Sequence, residues 1–427
     1  MMTMKRFWKH STLTAAMAAM MTALLPCSGM TGALHAAEAP AARRITLTAA
    51  QRKMVDAGND FACDLLRAVG TGQQSDGSIV VSPVSVSHML GMLGRGAQGE
   101  TLQQINDVAG LSGTPQDINA YFKKLVTQVP KADPLVTVTI AGSINVNKGL
   151  GYCIEPQYEA DMLGYYNAQA QALDFTQPGS VNVINNWCKN STHGMIPTAL
   201  NKLDPSATMC LLGAVYFKAQ WTDKFDARET RDRKFTLENG RTLQRKMMHR
   251  KSKAQYGEND LCKMLCLPYG NDGYSMHVLL PHEGKTVDAV INSLNAKTLK
   301  KQQNNMTTRE VDILMPRFTV TSEINLNGVL AAMGMPLAFD EHAAEFPYMA
   351  TWQDERTYLY VSMMKQKAKI EVDEEGTKAA AVTVTVMKNR SAASSQGYTF
   401  HATRPFVYYI VENSTGTILF MGTYRGD

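Results

Sequence analysis

The sequence lacks a marked excess of either charge and contains no basic block. Its 43 lysine and arginine residues stand against 38 acidic residues, which leaves a formal net charge of +5 scattered along the chain. Nucleic-acid-binding proteins normally present a basic patch or stripe to the phosphate backbone. We therefore expect no nucleic-acid partner.

Common catalytic motifs are missing as well. The sequence contains no Gly-x-Ser-x-Gly and no His-Glu-x-x-His, and Gly284-Lys285-Thr286 lacks the upstream glycine of a phosphate-binding loop. The chain is therefore not expected to be an enzyme, and no cofactor is expected.

Cysteine is sparse and poorly placed for a disulfide framework, which is typical of short chains that cannot build a large core. The seven cysteines are Cys27, Cys63, Cys153, Cys188, Cys210, Cys262 and Cys266. Only the last two are close in sequence, and four residues of extended strand span about 13 Å, too far for a disulfide.

Cys262 and Cys266 leave two interpretations. They are candidate metal ligands, with His249, His277 or His282 as a third partner. They also lie on one face of an expected buried strand, where cysteine behaves as a small apolar residue. We favour the core interpretation and expect no metal site.

Long hydrophobic runs are limited to the N-terminus. Basic residues from Lys5 to His10 precede an uncharged apolar stretch from Leu13 to Leu25, a pattern typical of a signal peptide. No second run follows, so no integral membrane span is expected. We predict a signal peptide at residues 1–36, a flexible segment at 37–50 and one folded domain at 51–427.

The signal peptide predicts an exported protein, either periplasmic, secreted or at the cell surface. Cleavage after Ala36 competes with lipid attachment at Cys27, within Leu24-Leu25-Pro26-Cys27. Pro26 directly before the cysteine argues against lipidation.

Apolar spacing predicts helices mainly in the first half of the domain and strands mainly in the second. Helices are expected over 54–66, after Ser82-Pro83, and over 181–191, where Val183, Ile184 and Trp187 share a face. Strands are expected at 79–81, 135–146, 207–217, 263–267, 276–280, 311–315, 369–372 and 405–411. Without regular alternation, this order indicates an α+β fold.

The segment after Gly376 has an unusual composition. As a strand it would place Thr377, Ala379, Ala381, Thr383, Thr385 and Met387 on one uncharged face. Alanine is a poor strand former, so an ordinary interior strand does not explain residues 379–381. Small side chains suit a segment that slides between two existing strands. The small, polar residues 391–397 are expected to be exposed.

These residues resemble a known family, the serpins, and the resemblance runs from about Met54 to the C-terminus. Glu374-Glu375-Gly376-Thr377 followed by alanines resembles the serpin hinge. Further motifs similar to the family, in the same order along the chain, are Val81–Ser85, Arg95–Thr101, Tyr216-Phe217-Lys218 with Trp221 and Phe225, Arg404–Ile410 and Phe420-Met421-Gly422.

The resemblance implies three β-sheets with eight or nine helices and an exposed reactive centre loop at about 374–400. It implies a monomeric inhibitor whose bait bond is Arg390-Ser391, with Lys388 as the alternative scissile residue. Arginine at the bait position implies a trypsin-like serine protease as the partner, or another arginine-specific protease, including a cysteine protease.

The resemblance also implies roles for two groups of residues. The hinge comprises Glu374, Glu375, Gly376, Thr377, Ala379 and Ala381. The breach and shutter, which lie beneath the loop and under the sheet, comprise Trp221, Ser82, Ser85, Gly213, Gln366 and Arg317. Glu374 is expected to pair with Arg317 as a surface ion pair of little energetic value.

Two positions depart from the family pattern. Gly213 replaces the usual asparagine, and Gln366 replaces a common histidine; in the family these two side chains hydrogen-bond each other. Their joint loss is expected to alter the details of sheet opening. A non-inhibitory serpin that acts as a chaperone or carrier is the alternative function, and the uncharged face from Thr377 to Met387 counts against it.

Overall fold

The computed structural model describes residues 40–70, 77–352, 358–377 and 397–427. This part of the chain contains nine α-helices: α1 Ala49–Gly70, α2 Pro83–Gly96, α3 Gly99–Ala109, α4 Pro115–Gln128, α5 Pro156–Tyr166, α6 Pro178–Ser191, α7 Val287–Ser293, α8 Ala296–Asn305 and α9 Leu326–Ala332. Short 3₁₀ helices lie at Val129–Lys131, Lys148–Leu150, Ala227–Glu229 and Pro336–Phe339.

The same residues form seventeen strands. They are β1 Ile79–Val81, β2 Val136–Asn147, β3 Cys153–Ile154, β4 Ala168–Leu173, β5 Met209–Gln220, β6 Arg231–Thr236, β7 Thr242–Glu258, β8 Cys262–Tyr269, β9 Tyr274–Pro281, β10 Thr307–Pro316, β11 Phe318–Asn325, β12 Ala350–Thr351, β13 Val361–Val372, β14 Gly376–Thr377, β15 Tyr398–His401, β16 Phe406–Glu412 and β17 Ile418–Tyr424.

The strands of the described residues form three sheets, which confirms the expected α+β architecture. The main sheet has the order β11-β13-β14-β5-β2-β4, and β13 also pairs directly with β5. A nine-stranded second sheet runs β1-β17-β16-β9-β8-β7-β10-β15, with β6 beside β7. β12 and β3 form a small third sheet.

Local sequence explains where several helices begin and end. Proline occupies the first turn of α2, α4, α5 and α6, where its fixed φ suits a helix and its missing N–H costs nothing. Thr114 and Asp117 form a reciprocal capping box at the start of α4. Gly110 ends α3 in the left-handed conformation.

Strand β5 is buried on both faces. On the inner face, Phe217 makes edge-to-face contacts with Tyr269, Tyr274 and Phe420 of the second sheet. On the outer face, Leu212 and its neighbours pack against α6 and the segment that follows it. Lys367 Nζ of β13 donates to Thr198 O of that segment, at 3.0 Å. The main sheet is therefore the middle layer of the fold.

Most of the predicted strands and helices are present with small shifts at their ends, but the strand predicted at 369–372 begins eight residues earlier, as β13. Two further local expectations need correction. Val183 is 41% exposed whereas Ile184 is buried, so these residues do not share the buried face of α6. Adjacent helical positions differ by about 100°, which places Val183 on the solvent side. The second correction concerns the start of the domain.

Residues 40–48 lie within the segment expected to be flexible, yet they contact the body of the protein. Ile45 and Leu47 are buried, and the Ile45 amide donates to Ser414 Oγ at 2.9 Å. Arg43 N donates to Ala132 O at 2.6 Å. The described domain therefore begins before residue 51. The predicted signal peptide and Cys27 lie outside the described residues.

Cys262 is buried in the core, while Cys266 lies opposite His277 and is half-buried. Burial raises the pKa of both thiols to about 12, so both stay protonated at neutral pH. Within the described residues no group of three or more His, Cys, Asp or Glu side chains is arranged to hold a metal ion. Likewise, none of the described helices is long and apolar enough to cross a membrane.

Close packing of β17 against β1 generates a stability prediction. A Cβ at Gly422 would lie 2.1 Å from the backbone oxygen of Ile79, so Gly422→Ala forces the two strands apart. We expect a loss of about 2 kcal/mol or more in unfolding free energy, read as a lower urea midpoint. Gly164→Ala is the matched control because nothing lies within 4 Å of its Cβ and it is exposed in α5. An unchanged midpoint for Gly422→Ala would contradict this packing.

Candidate functional site

The site is the seam between β5 and β13 in the main sheet. These parallel strands pair directly only from Met209 to Gly213 and from Val361 to Gln366. At the other end of the seam, β14 lies between them and runs antiparallel to both. The described residues show no direct pairing between β5 and β13 beyond Gln366 and Gly213. The hinge therefore occupies the first two positions of a further strand in the seam.

Gly376 is required where the chain enters the seam. It lies opposite Gln220 with φ of +154°, and a Cβ there would be 2.1 Å from Ala219 O. Only glycine tolerates such a close approach of two backbones. The next residue, Thr377, lies opposite both Val372 and Ala219. It is buried, and its hydroxyl is 2.6 Å from Tyr269 Oη on the inner side of the sheet.

Trp221 holds the turn that precedes β14. Its backbone N–H donates to Glu375 O and its indole N–H donates to Asp373 O, both at 2.9 Å. The indole stacks on the Tyr269 ring, with centroids 4.3 Å apart. One aromatic pair thus supports both the turn and Thr377, so Trp221, which the resemblance assigns to the breach, contacts the hinge.

Glu374 is the electrostatic centre of this end of the seam. Arg317 Nη2 donates to both carboxylate oxygens at 2.7 and 2.6 Å, and Thr230 Oγ1 donates at 2.6 Å. Burial acts to raise the pKa of Glu374, but these donors bring the pKa below its ordinary value. The expected pair is present, but its description as a surface pair is wrong because Glu374 is only 5% exposed. Arg317 itself is about half exposed, so only loss of Arg317 would leave a buried charge without its ion-pair partner.

Arg250 lies beside the same contacts and was not predicted from the sequence. Its guanidinium lies over the Phe225 ring, 4.6 Å from the centroid. The Phe225 amide in turn donates to Glu374 O at 3.0 Å. Burial lowers the pKa of Arg250 to about 10, so it remains a cation at neutral pH. Arg250 is therefore connected to the hinge backbone through Phe225.

The middle of the seam rests on Gln366 and Ser82. Gln366 Nε2 donates to Ser82 O at 2.8 Å, and Gln366 Oε1 accepts from Ser82 N at 3.0 Å. The Gln366 side-chain amide thus hydrogen-bonds both the backbone N–H and the backbone C=O of Ser82, the residue before α2. It ties β13 to the body of the protein, and no bond to a side chain on β5 is required.

Gly213 lies opposite Gln366 and explains why both departures from the family pattern occur together. A Cβ at Gly213 would be 2.2 Å from Ser85 Oγ and 2.9 Å from the Met89 methyl group. Ser85 and Met89 thus fill the space of the missing side chain. Ser85 Oγ is buried and has no hydrogen-bond partner among the described residues. An unpaired buried hydroxyl of this kind destabilises the fold by roughly 1–3 kcal/mol.

The structure gathers the predicted site residues into two groups. Glu374–Thr377, Trp221 and Arg317 meet at one end of the seam, and Ser82, Ser85, Gly213 and Gln366 meet in its middle. The predicted hinge residues Ala379 and Ala381, the bait residues Arg390 and Ser391, and Lys388 lie outside the described residues. Tyr269, Thr230 and Arg250 were missed, since each is a single residue in a strand or loop without a motif.

Comparisons with known proteins agree with this geometry. A family model described as Serpin (serine protease inhibitor) matches residues 56–425. Glia-derived nexin of Rattus norvegicus is 31% identical over 377 residues, which cover 86% of this chain and 91% of the relative. Leukocyte elastase inhibitor of Equus caballus is 31% identical over 380 residues, covering 86% and 98%.

A solved structure shows the same fold. The thermophilic serpin tengpin in its native state matches with a TM-score of 0.82 at 28% identity, covering 91% of this chain and 97% of that chain. The family model, the curated relatives and the solved structure all span most of the chain. The protein therefore belongs to the serpin family.

Proposed function

We propose that this serpin is an exported, monomeric inhibitor that traps a trypsin-like serine protease, or another arginine-specific protease, after attack at Arg390-Ser391. The observation that carries the proposal is the position of Gly376 and Thr377 between β5 and β13. A chain segment that already forms the start of a strand can extend it once its other end is released by cleavage. The protease, still joined to Arg390, then moves with the strand.

The register of β14 supports further insertion. If the pairing with Gln220 and Ala219 continues one residue at a time, Ala379 faces Phe217 and Ala381 faces Val215. Phe217 and Val215 belong to the inner core, where small neighbours fit without forcing the sheets apart. The alanines that make a poor ordinary strand are thus suited to a strand that arrives late.

The same register brings Thr383 between Gly213 and Gln366. There its hydroxyl would approach Ser85 Oγ, which lacks a partner among the described residues of the uncleaved protein. Insertion would then satisfy a buried polar atom in addition to completing the sheet. Both changes favour the inserted form.

The free energy released on insertion is large enough to move the protease that is joined to Arg390. About a dozen residues would gain hydrogen bonds on two sides, at roughly 1 kcal/mol net each, so the total is on the order of 10 kcal/mol or more. The uncleaved form is then a kinetic trap that persists because the loop is tethered at both ends.

Reaction with trypsin tests the bait position. Incubation with trypsin should give a covalent band on a denaturing gel, at the summed mass of the two proteins. Arg390→Ala should reduce the rate of complex formation at least tenfold, because a protease pocket with an acidic floor loses its cation. Lys388→Ala is the matched control and should leave the rate within about twofold; the opposite ranking would move the bait bond to Lys388.

A charged side chain placed at Thr377 tests insertion itself. Thr377→Arg would bury a cation beside Tyr269, so cleavage should outpace insertion and most of the protein should be consumed as an ordinary substrate. Lys378→Arg changes the adjacent position, which faces the other side of the strand, and should preserve the complex. Equal complex yields from both variants would exclude insertion as the mechanism.

Thermal stability after cleavage tests the same mechanism without a covalent product. A protease that cuts the loop without being trapped should raise the melting temperature by tens of degrees, because the completed sheet must be broken on unfolding. Circular dichroism of cleaved and intact protein gives the comparison. If the two forms melt alike, the alternative function as a non-inhibitory carrier or chaperone becomes the better explanation.

A further inference from the structure

The far end of the bait loop is anchored by a short edge strand. β15 spans Tyr398–His401 and pairs in parallel with β10, at the end of the second sheet. A four-residue edge strand offers few backbone hydrogen bonds, so side chains contribute a large share of its attachment. Two such contacts come from Arg309, over the Tyr398 ring at 5.5 Å, and Lys263, which donates to Thr399 O at 3.1 Å.

A third attachment is a carboxylate shared by two histidines. Asp312 Oδ1 on β10 lies 2.8 Å from His249 Nε2 on β7 and 3.5 Å from His401 Nε2 on β15. In the strand register, His249 and His401 flank Leu314 on either side. One aspartate thus links three adjacent strands, including the strand that anchors the loop.

Other charged groups around this cluster are few. Lys251 Nζ on β7 is 3.5 Å from Asp312 Oδ2, and Lys253 faces Glu310 in the next row of the sheet. Partial burial acts to raise the pKa of Asp312, but the hydrogen bond and charge of His249, with smaller effects of His401 and Lys251, bring the pKa below its ordinary value. Asp312 therefore remains ionised at both pH 6 and pH 8.

Chain length makes the attachment of β15 decisive for the uncleaved protein. Insertion as far as residue 388 would place the eleven residues after Thr377 in the sheet, as a strand roughly 37 Å long. Only the nine residues 389–397 would remain to return to β15, and they reach roughly 31 Å when fully extended. The intact loop can therefore insert fully only if β15 leaves β10.

We propose that His249, Asp312 and His401 form a proton-dependent latch that holds β15 on β10 and slows inactivation of the uncleaved inhibitor by self-insertion. The proposal rests on the proposed function, because self-insertion uses the same seam. Protonated imidazole rings donate charge-assisted hydrogen bonds to Asp312, which are about twice as strong as neutral ones.

The direction of the pH dependence follows from proton binding. Release of β15 separates His401 from Asp312, so the attached state favours the charged imidazolium and the released state does not. The latch should therefore weaken as pH rises. It would fail again only in acid strong enough to protonate Asp312.

The test measures self-inactivation at two pH values. Uncleaved protein is incubated at 37 °C at pH 6 and pH 8, and samples are returned to one pH to titrate their remaining capacity for complex formation with trypsin. The wild-type protein should lose capacity about three to ten times faster at pH 8. His401→Gln should lose capacity at nearly the same rate at both pH values. Asp312→Asn should lose capacity rapidly at both pH values.

His342→Gln is the matched control, since His342 is an exposed histidine paired with Glu341 outside this cluster. It should keep the wild-type ratio between the two rates. A His401→Gln ratio equal to that of the wild type would overturn the latch.

Hydrogen exchange of β15 separates this proposal from the proposed function. After correction for intrinsic exchange rates, the amides of residues 398–401 should be better protected at pH 6 than at pH 8 in the wild type and equally protected in His401→Gln. This readout needs no protease. Absence of any trypsin complex would reject the inhibitory function alone, whereas pH-independent protection of β15 in the wild type would reject the latch alone.

Discussion

The structure depends on an incomplete sheet. β5 and β13 are parallel neighbours that pair for only part of their length, and a two-residue strand separates them at one end. Among the described residues, no strand pairs with the seam-facing side of β5 between Gly213 and Ala219, or of β13 between Gln366 and Val372. One further segment of suitable length, with small side chains, could lie between β5 and β13 and pair antiparallel with both. We propose that the segment directly after Thr377, which lies outside the described residues, takes this position.

Two sets of contacts hold the seam, one at the hinge and one in its middle. At the hinge, Arg317 and Thr230 hold the carboxylate of Glu374, and Trp221 binds the backbone on either side of it. In the middle, Gln366 is bonded to Ser82 of the body, whereas Gly213 offers β5 no side chain with which to hold β13. The usual link across the seam is thus replaced by a link from one strand to the layer beneath. Separation of β5 from β13 breaks backbone pairs but need not break the bonds between Gln366 and Ser82.

The sequence predicts the fold and most of the site, but not the way in which the site is held together. The apolar run over 207–217 locates β5, whereas the sequence predicts only the last four residues of β13, because polar and charged side chains interrupt that strand. The resemblance places the hinge directly after β13. The composition of residues 377–387 alone suggests a late strand. Tyr269, Thr230 and Arg250 could not be identified, because each acts through a partner distant in sequence and belongs to no local pattern. Burial of Glu374 was also missed, since exposure of an acidic residue is set by the strands packed around it.

The two ends of the bait loop differ in their response to protons. At the hinge end the attraction joins Arg317 to Glu374; arginine does not titrate in proteins, and the pKa of Glu374 is lowered, so this contact keeps its charges throughout the neutral range. At the far end, Asp312 contacts His249 and His401, and the proposed latch there weakens as pH rises. A shift in pH therefore loosens only the far end. Loosening there acts on self-insertion of the intact loop, because a cleaved loop no longer needs β15 to move. The speed of inhibition and the lifetime of the uncleaved inhibitor are thus controlled by different residues.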